Sequence, residues 1–230
     1  MESARPTRIK AVIFDMDGVI TNTMPYHFDA WLEVFRREGV RVNCYDIYER
    51  EGQDGLTSVK EILRQHRRKF TLRQARAILR RKETLFKRIV RIKFVKGARP
   101  FVNLLKQRGI PMALVTGTSR QEVKRILPPR LLEKFGVSVT GDEVSRGKPH
   151  PEPFLKAVRL LGVSRRDTVV LENAPFGIKA AKRAGLFCIA LQTSLPRRYL
   201  AQADRIFKSY TGLRRYLLCF TGFIFGCIII

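Results

Sequence analysis

The segment AVIFDMDGV, residues 11–19, joins a short apolar run to two aspartates that one residue separates. The apolar run predicts a buried strand, and Gly18 permits a tight turn where that strand ends. Asp15 and Asp17 would then stand at the end of a buried strand, where two carboxylates are costly unless a partner such as a cation binds them. Taken alone, the pattern is equally compatible with a plain turn that binds nothing.

The composition indicates an ordinary globular protein with an extreme charge. The 230 residues are 45% hydrophobic, and the formal net charge is +25 at pH 7. This length suits one domain or a core domain with an insert, and the hydrophobic content excludes a wholly disordered chain. The four cysteines form no Cys-x-x-Cys pair, which predicts reduced thiols and a cytoplasmic location. The first ten residues contain no apolar signal core, so secretion is not expected.

The positive charge is concentrated in residues 64–99, which hold 15 Lys and Arg residues and one acid, Glu83. Such a segment can attract anionic metabolites, nucleic acid or an acidic membrane surface. It can equally be a solvated helix face. Because no regular aromatic interleaving and no nucleic-acid motif accompany the charges, we expect no specific nucleic-acid partner.

Apolar runs alternate with amphipathic segments along most of the chain. Helices are expected between strands at residues 10–15, 111–115, 137–139, 168–171 and 187–191. This alternation predicts an α/β fold with a doubly wound, parallel, Rossmann-like sheet. A long helical stretch interrupts the alternation and predicts an inserted α-helical cap. The expected division is a core at 1–21 and 97–215, the cap at 22–96, and an apolar tail at 216–230.

Two later motifs offer groups that suit an anion. Thr116, Gly117 and Thr118 follow an expected strand and provide hydroxyl and backbone N–H donors, although the same pattern is a routine helix N-cap. Lys148 lies in a proline-flanked loop, where an exposed lysine without a special role is the ordinary alternative. Both motifs therefore gain meaning only in combination with other residues.

Glu172 and Asn173 follow a further strand, where they could bind a cation or cap the next helix. If the strand ends meet at one edge of a sheet, these two residues join Asp15 and Asp17 there. Ligands that are all oxygen favour Mg²⁺ over zinc. The combination predicts a site for a divalent cation and an anion.

In this order the four motifs resemble those of the haloacid dehalogenase superfamily, in its phosphatase and phosphomutase branch. The likeness extends from about residue 10 to residue 217. It is strongest to the subgroup of β-phosphoglucomutase and small sugar phosphatases, through Asp-x-Asp-Gly-Val-Ile-Thr-x-Thr at residues 15–23 and His-Phe-x-Ala-Trp at residues 27–31. The resemblance implies a Mg²⁺-dependent phosphatase that acts on a small phosphorylated metabolite, with a sugar phosphate as the expected substrate.

The resemblance also implies a role for each motif residue. Asp15 is the expected nucleophile, which forms an aspartyl-phosphate. Asp17 is the expected general acid for the leaving oxygen and then the base that activates water. Lys148 would pair with the nucleophile and the phosphoryl group. The phosphoryl oxygens would be bound by Thr116, Gly117 and Thr118.

By the same resemblance, Mg²⁺ would be held by Asp15, Asp17, Glu172 and Asn173. Many relatives carry a second acid where this chain has Asn173. The amide oxygen can coordinate a hard cation but brings no charge. We therefore expect Asn173→Asp to bind Mg²⁺ more tightly than the natural chain does.

Three cap positions bear on the substrate. Gly55 stands where the mutase has an arginine for the distal phosphate, which favours a phosphatase over a phosphomutase as the alternative. His27 matches a residue that touches the reacting region, although a histidine on a helix is often only a satisfied polar residue. Lys82 matches a lysine that faces the substrate, although it lies among other basic residues that suit a solvated face.

The tail at 216–230 is almost wholly apolar. Fifteen helical residues span about 22 Å, which is short of the roughly 30 Å hydrocarbon core of a bilayer. A minimal membrane anchor is one interpretation, whereas a last helix docked on the core or an extension without selected function is favoured. A catalytically weak relative that binds nucleic acid or membrane through its basic cap remains a further alternative. The oligomeric state is left open.

Overall fold

The computed structural model describes residues 6 and 8–218. In this part of the chain the strands are β1 (Ala11–Phe14), β2 (Met112–Val115), β3 (Val137–Val139), β4 (Thr168–Glu172), β5 (Phe187–Leu191) and β6 (Arg205–Phe207). The α-helices are α1 (Met24–Arg37), α2 (Cys44–Tyr48), α3 (Gly55–Gln65), α4 (Leu72–Ile89), α5 (Ala98–Gln107), α6 (Arg120–Ile126), α7 (Pro129–Leu132), α8 (Glu152–Leu161), α9 (Pro175–Arg183) and α10 (Tyr210–Leu218).

The six strands form one parallel sheet in the order β3-β2-β1-β4-β5-β6. β1 lies in the middle, where Ile13 pairs with Ala113 of β2 and Val170 of β4. The expected doubly wound α/β fold is therefore confirmed. Because parallel strands end at the same edge, the residues that follow β1, β2 and β4 are neighbours.

The apolar run of β1 is continuous because both faces of the sheet are covered. Val12 and Phe14 pack into one layer, with Phe101 of α5. Ile13 points into the opposite layer, with Phe154 of α8. All four residues of β1 are fully buried. Burial of apolar area, which contributes about 25 cal/mol per Å², stabilises the strands in the sheet. The position of β1 in turn fixes the position of Asp15, which follows it.

Helices α1 to α4 lie between β1 and α5 without an intervening strand of the sheet. They have an apolar core of their own, which includes Trp31, Phe35, Ile62 and Ile78. The two segments that join the cap to the core run side by side, because Thr21 pairs with Phe94 and the Asn22 N–H donates to the Lys93 carbonyl at 2.7 Å. The boundaries at residues 22 and 96 stay a prediction.

The basic segment 64–99, all of which the structure describes, forms an outer face of the cap. Fourteen of its 15 Lys and Arg side chains are exposed, and Lys82 is the one that is buried. Most of these charges are therefore solvated. Lys82 differs, at 8% exposure, and the interpretation of this lysine as part of a solvated face was wrong.

β6 was not expected from the sequence, whereas a last helix docked on the core was one of the two favoured interpretations of the tail. β6 has three residues, too few to show a periodicity, and α10 continues past the expected core boundary at residue 215. Tyr210, Leu213 and Leu217 of α10 are buried in the core, so this part of the chain is a docked helix. The rest of the apolar tail, residues 219–230, lies outside the described residues.

Two observations concern location. Within residues 8–218, no helix is long and apolar enough to cross a membrane. In the same range Cys44 and Cys188 are free thiols, and Cys188 is buried. The cytoplasmic location stays a prediction.

Candidate active site

Asp15 follows β1 directly and is almost fully buried, at 1% exposure. Its backbone N–H donates to the Leu171 carbonyl at 3.0 Å, which continues the pairing of β1 with β4. The Oδ1 atom accepts a hydrogen bond from Lys148 Nζ at 2.6 Å, whereas Oδ2 has no partner in the described chain. Burial raises the pKa of Asp15 to about 8; the charge of Lys148 opposes this rise, and Glu172 and Asp17 reinforce it.

Lys148 is a buried ion-pair partner and not an exposed loop residue, since it is 2% exposed. Its Nζ atom lies 2.6 Å from Asp15 Oδ1 and 2.5 Å from Glu172 Oε1. Burial alone would lower the pKa of Lys148, but the charges of the two carboxylates raise it. The second oxygen of Glu172 accepts the backbone N–H groups of Asn173 and Ala174 at 2.9 and 3.3 Å. Glu172 thus holds the ammonium group against Asp15.

Asp17 lies at the same sheet edge, with donors around both of its oxygens. Oδ1 accepts the Thr23 hydroxyl and lies 3.5 Å from His27 Nε2, and Oδ2 accepts the Thr118 hydroxyl at 3.4 Å. Burial alone would raise the pKa of Asp17, but His27, Thr23 and Lys82 together lower it. Asp17 is therefore ionised at neutral pH in the free protein.

His27 and Lys82 extend this arrangement into the cap. Lys82 Nζ lies 2.9 Å from His27 Nδ1, and the imidazole stacks on Phe86 with ring centroids 4.0 Å apart. Burial and the charge of Lys82 lower the pKa of His27, and burial lowers the pKa of Lys82 to about 8. Since an ammonium group only donates, Nδ1 accepts, and a neutral His27 carries its proton on Nε2, the atom nearest Asp17. Lys82 and His27 thus lead from the cap to Asp17, with His27 Nε2 3.5 Å from Oδ1 and without a hydrogen bond in the described chain.

The loop after β2 brings the next motif to the same edge. Thr116 is 5% exposed, and its hydroxyl accepts the Thr118 N–H at 3.1 Å. The N-cap of α6 is Ser119, whose hydroxyl accepts from the Glu122 N–H, so Thr116 is not the cap residue. Its hydroxyl is therefore available as a donor at the end of β2.

Asn173 is fully buried at the end of β4. Its Nδ2 atom lies 3.0 Å from Glu51 Oε2 and 3.1 Å from Ser194 Oγ, and Oδ1 has no hydrogen-bond partner in the part of the chain described. Gly18 makes room for this amide: its φ is +82°, and a Cβ there would lie 2.0 Å from Asn173 Nδ2. The turn of the first motif and the end of β4 are thus packed together.

The oxygens left without partners fit a hard cation. Asp15 Oδ2, Asn173 Oδ1 and Glu51 Oε1 are all buried without a hydrogen bond in the described chain. Buried polar oxygens are normally bonded, and a divalent cation such as Mg²⁺ takes carboxylate and amide oxygens. The ammonium group of Lys148 lies between Asp15 and Glu172. Within residues 8–218, the His, Cys, Asp and Glu side chains form no group of three or more that is already arranged to hold a metal ion.

Glu51 is the residue that the sequence did not reveal. It lies in the loop between α2 and α3, at 9% exposure. Burial raises its pKa well above the ordinary value, and the charges of Asp15, Asp17 and Glu172 add to the rise. A single acid before a glycine carries no recognisable signal, and its partner Asn173 is 122 residues away.

A cavity of about 500 Å³ lies between the cap and the core, within the range of small-molecule sites. Asp17 and Thr118 line it from the core, and Trp31, Glu51 and Lys82 line it from the cap. Of the 15 basic residues in segment 64–99, only Lys82 and Lys87 reach it. The cavity therefore does not share the basic character of the outer face.

Known proteins resemble this chain over most of its length. Residues 9–185 match the haloacid dehalogenase-like hydrolase family. Validoxylamine A 7′-phosphate phosphatase of Streptomyces hygroscopicus subsp. limoneus is 32% identical over 208 residues, which cover 89% of this chain and 96% of that protein. The phosphorylated carbohydrates phosphatase of Thermotoga maritima is 34% identical over 186 residues, which cover 77% and 82%.

A solved structure from Bacteroides vulgatus, assigned as a β-phosphoglucomutase, is similar with a TM-score of 0.83 and 29% identity, over 94% of this chain and 92% of that one. The likeness thus includes the cap as well as the sheet. The four motifs meet at the carboxyl edge of that sheet in this structure, as the resemblance implied. The chain belongs to the haloacid dehalogenase-like hydrolases, in the subgroup of β-phosphoglucomutases and sugar phosphatases.

Proposed function

We propose that the chain is a Mg²⁺-dependent phosphatase that hydrolyses a small phosphorylated metabolite through an aspartyl-phosphate at Asp15. The proposed substrate is a sugar phosphate. Phosphoric monoester hydrolysis follows from the family and from the phosphatases among the relatives. One observation supports Asp15 as the nucleophile. Lys148 holds one oxygen of Asp15, while the other oxygen is buried and free of hydrogen bonds in the described chain.

The reaction proceeds in two steps. Asp15 Oδ2 attacks phosphorus, the bond to the leaving alkoxide breaks, and Asp17 gives that oxygen its proton. Water then attacks the aspartyl-phosphate, Asp17 accepts a proton from it, and inorganic phosphate leaves. For the first step Asp17 must be protonated, and the negative charge of the bound phosphoryl group favours this because like charges raise a carboxyl pKa.

The buried cations make the attack feasible. A phosphoryl dianion repels a bare carboxylate, and Lys148 offsets this repulsion at the nucleophile. Mg²⁺ would be held by oxygens of Asp15, Asp17, Glu172 and Asn173. When bound there, it would neutralise charge on the phosphoryl oxygens. Thr116, with the backbone of Gly117 and Thr118, is proposed to bind the phosphoryl group.

The cap is proposed to control the proton on Asp17. Lys82 orients His27, and His27 presents Nε2 to the Asp17 carboxyl group. The cap also covers the cavity, which limits water near the phosphoryl group before the leaving group departs. His27 and Lys82 line that cavity and are the proposed substrate contacts.

The absence of an arginine at residue 55, on the rim of the cavity, favours hydrolysis over phosphomutase activity. Gly55 begins α3 and lines the cavity, where an arginine would be needed to hold a second phosphate. The nearby Arg50 does not replace it, since its guanidinium donates to the Asp46 carbonyl at 2.7 Å and to Gln65 Oε1 at 3.1 Å. Without that grip, water should intercept the aspartyl-phosphate.

The test is release of inorganic phosphate from a panel of sugar phosphates and other small phosphate esters with Mg²⁺. Asp15→Asn should lower the rate by about 10⁶-fold, since nucleophile removal has effects of this size in other enzymes. Asp29→Asn, at an exposed position of α1, is the matched control and should retain the rate. Unchanged hydrolysis in Asp15→Asn would remove the mechanism.

Two other outcomes would favour the alternatives. An isomeric sugar phosphate formed in place of inorganic phosphate would identify a phosphomutase. The exposed basic face of the cap could bind RNA, and salt-sensitive RNA binding without hydrolysis of any panel member would identify a binding protein.

A further inference from the structure

Glu51 is a buried carboxylate without a cationic partner in the described chain. Its Oε2 atom accepts the Asn173 amide at 3.0 Å, its Oε1 atom has no hydrogen bond, and the residue is 9% exposed. A buried charge of this kind is costly unless a cation compensates it. The neighbouring Glu49 differs, because its side chain is 36% exposed and its carboxylate pairs with Arg50.

Glu51 also determines which atom Asn173 offers to the site. An ionised carboxylate can only accept hydrogen bonds, so the Asn173 nitrogen must face Glu51. The amide oxygen then remains as the free atom, buried and without a partner in the part of the chain described. An amide could otherwise present either its nitrogen or its oxygen, and only the oxygen can bind a cation.

The formal charges around the site indicate what is needed to balance them. Four acidic side chains are buried there: Asp15, Asp17, Glu51 and Glu172. Two ammonium groups, Lys82 and Lys148, are buried with them. With all six groups ionised, as they would be around a bound cation, the sum of −4 and +2 is −2, which one divalent cation balances. Without Glu51 the balance would be one charge short.

We propose that Glu51 supplies, from the cap, the carboxylate that position 173 lacks: it orients Asn173 Oδ1 for the divalent cation and contributes the missing negative charge. This inference rests on the proposed function, because it concerns the same Mg²⁺. The hydrogen bond between Asn173 and Glu51 thus links the cap loop to the cation site.

Direct metal binding tests the role of Glu51 without recourse to activity. Mn²⁺ is titrated into the full chain without substrate, and free Mn²⁺ is followed by electron paramagnetic resonance. Glu51→Gln should weaken binding about 10-fold, the lower end of what outer-shell partners contribute to metal affinity. Glu49→Gln, with the same charge change two residues away, should bind within about twofold of the natural chain, because outer-shell effects need contact with a ligand. Asp15→Asn should abolish binding at this site.

The sharper variant exchanges the two groups. In Asn173→Asp alone, the new carboxylate faces Glu51 at hydrogen-bond distance, so the gain in affinity should be small. Glu51→Gln combined with Asn173→Asp should bind Mn²⁺ at least as tightly as the natural chain, because the charge returns and the repulsion is removed. Glu51→Gln therefore weakens binding in the natural background and strengthens it in the Asn173→Asp background. This reversal distinguishes compensation from a general loss of structure.

Equal Mn²⁺ affinity in Glu51→Gln and the natural chain would overturn the role of Glu51. A similar loss of affinity from Glu51→Gln in both backgrounds would overturn it as well. In either case, Asp15-dependent phosphate release would leave the proposed function standing. A natural chain that neither binds Mn²⁺ nor releases phosphate would remove both.

Discussion

Gly52 of the cap loop lies directly against the side chain of Lys148, so that a Cβ at residue 52 would be 2.6 Å from Lys148 Cδ. The Gly52 carbonyl also faces the loop after β2, since a Cβ at Gly117 would be 2.9 Å from it. Two glycines thus let the cap backbone approach the lysine and the anion loop at once. The cap is seated on the residues that carry the proposed chemistry.

Gly52→Ala should therefore reduce both stability and activity. Its φ is +73°, where a side chain costs about 1–2 kcal/mol, and the methyl group would also push against Lys148. We expect kcat/KM to fall by about 10-fold or more as the loop shifts. Gly109→Ala is the control, because its φ is +65° and no atom lies within 4 Å of the added Cβ. Equal effects of the two changes on urea unfolding and on kcat/KM would show that the close contact between Gly52 and Lys148 has no function.

Lys148→Met should be the most damaging single change in the core. It leaves two buried carboxylates without their shared cation, and breaking a buried pair costs about 3–5 kcal/mol. Lys10→Met provides the comparison, since Lys10 pairs with Asp167 at 2.6 Å but is 52% exposed, and such pairs contribute up to about 1 kcal/mol. Urea denaturation of the metal-free protein would measure the loss of unfolding free energy in both variants. A loss below about 1 kcal/mol in Lys148→Met, as for an exposed pair, would contradict the ion-pair geometry.

Lys82 should make stability rise with pH in the alkaline range. Its pKa falls from 10.5 to about 8 through burial, so between these values the folded protein binds fewer protons than the unfolded chain. The free energy of unfolding therefore increases with pH across this window, by up to about 3 kcal/mol from this group. Relative to the natural chain, Lys82→Met should lack this increase between about pH 7.5 and pH 10. Lys87→Met, an exposed position on α4, should retain it.

The C-terminal helix should tolerate shortening to Leu218 but not to Arg215. Leu217 is 4% exposed and packs in the core, so its removal should cost about 2–4 kcal/mol of unfolding free energy. A chain that ends at Leu218 keeps these contacts and should melt at the same temperature as the full chain. Membrane fractionation of both chains tests the anchor interpretation. We expect both in the soluble fraction, and selective pelleting of the full chain would identify a membrane anchor.

Some of these features were predictable because they are local or topological. A fully apolar run before Asp15 indicates a strand, and amphipathic spacing indicates the helices around it. Once the sheet is parallel, the residues after β1, β2 and β4 must meet at one edge, so Thr116 and Glu172 could be placed beside Asp15 from their positions alone. Short elements such as α7 and β6 escaped because three or four residues show no period.

Local patterns and their order along the chain thus predict the sheet, the order of the motifs at its edge and the helical nature of the cap. The tertiary structure decided which charged side chains are buried and what faces them. Lys82 is buried while the fourteen other basic side chains of segment 64–99 are exposed, and Glu51 meets Asn173 across 122 residues. Burial and pairing of charge depend on elements that are distant in sequence, so no local pattern encodes them. For this reason the two aspartates could be recognised from the sequence, and the cap residues His27 and Lys82 through the resemblance, whereas Glu51 could not.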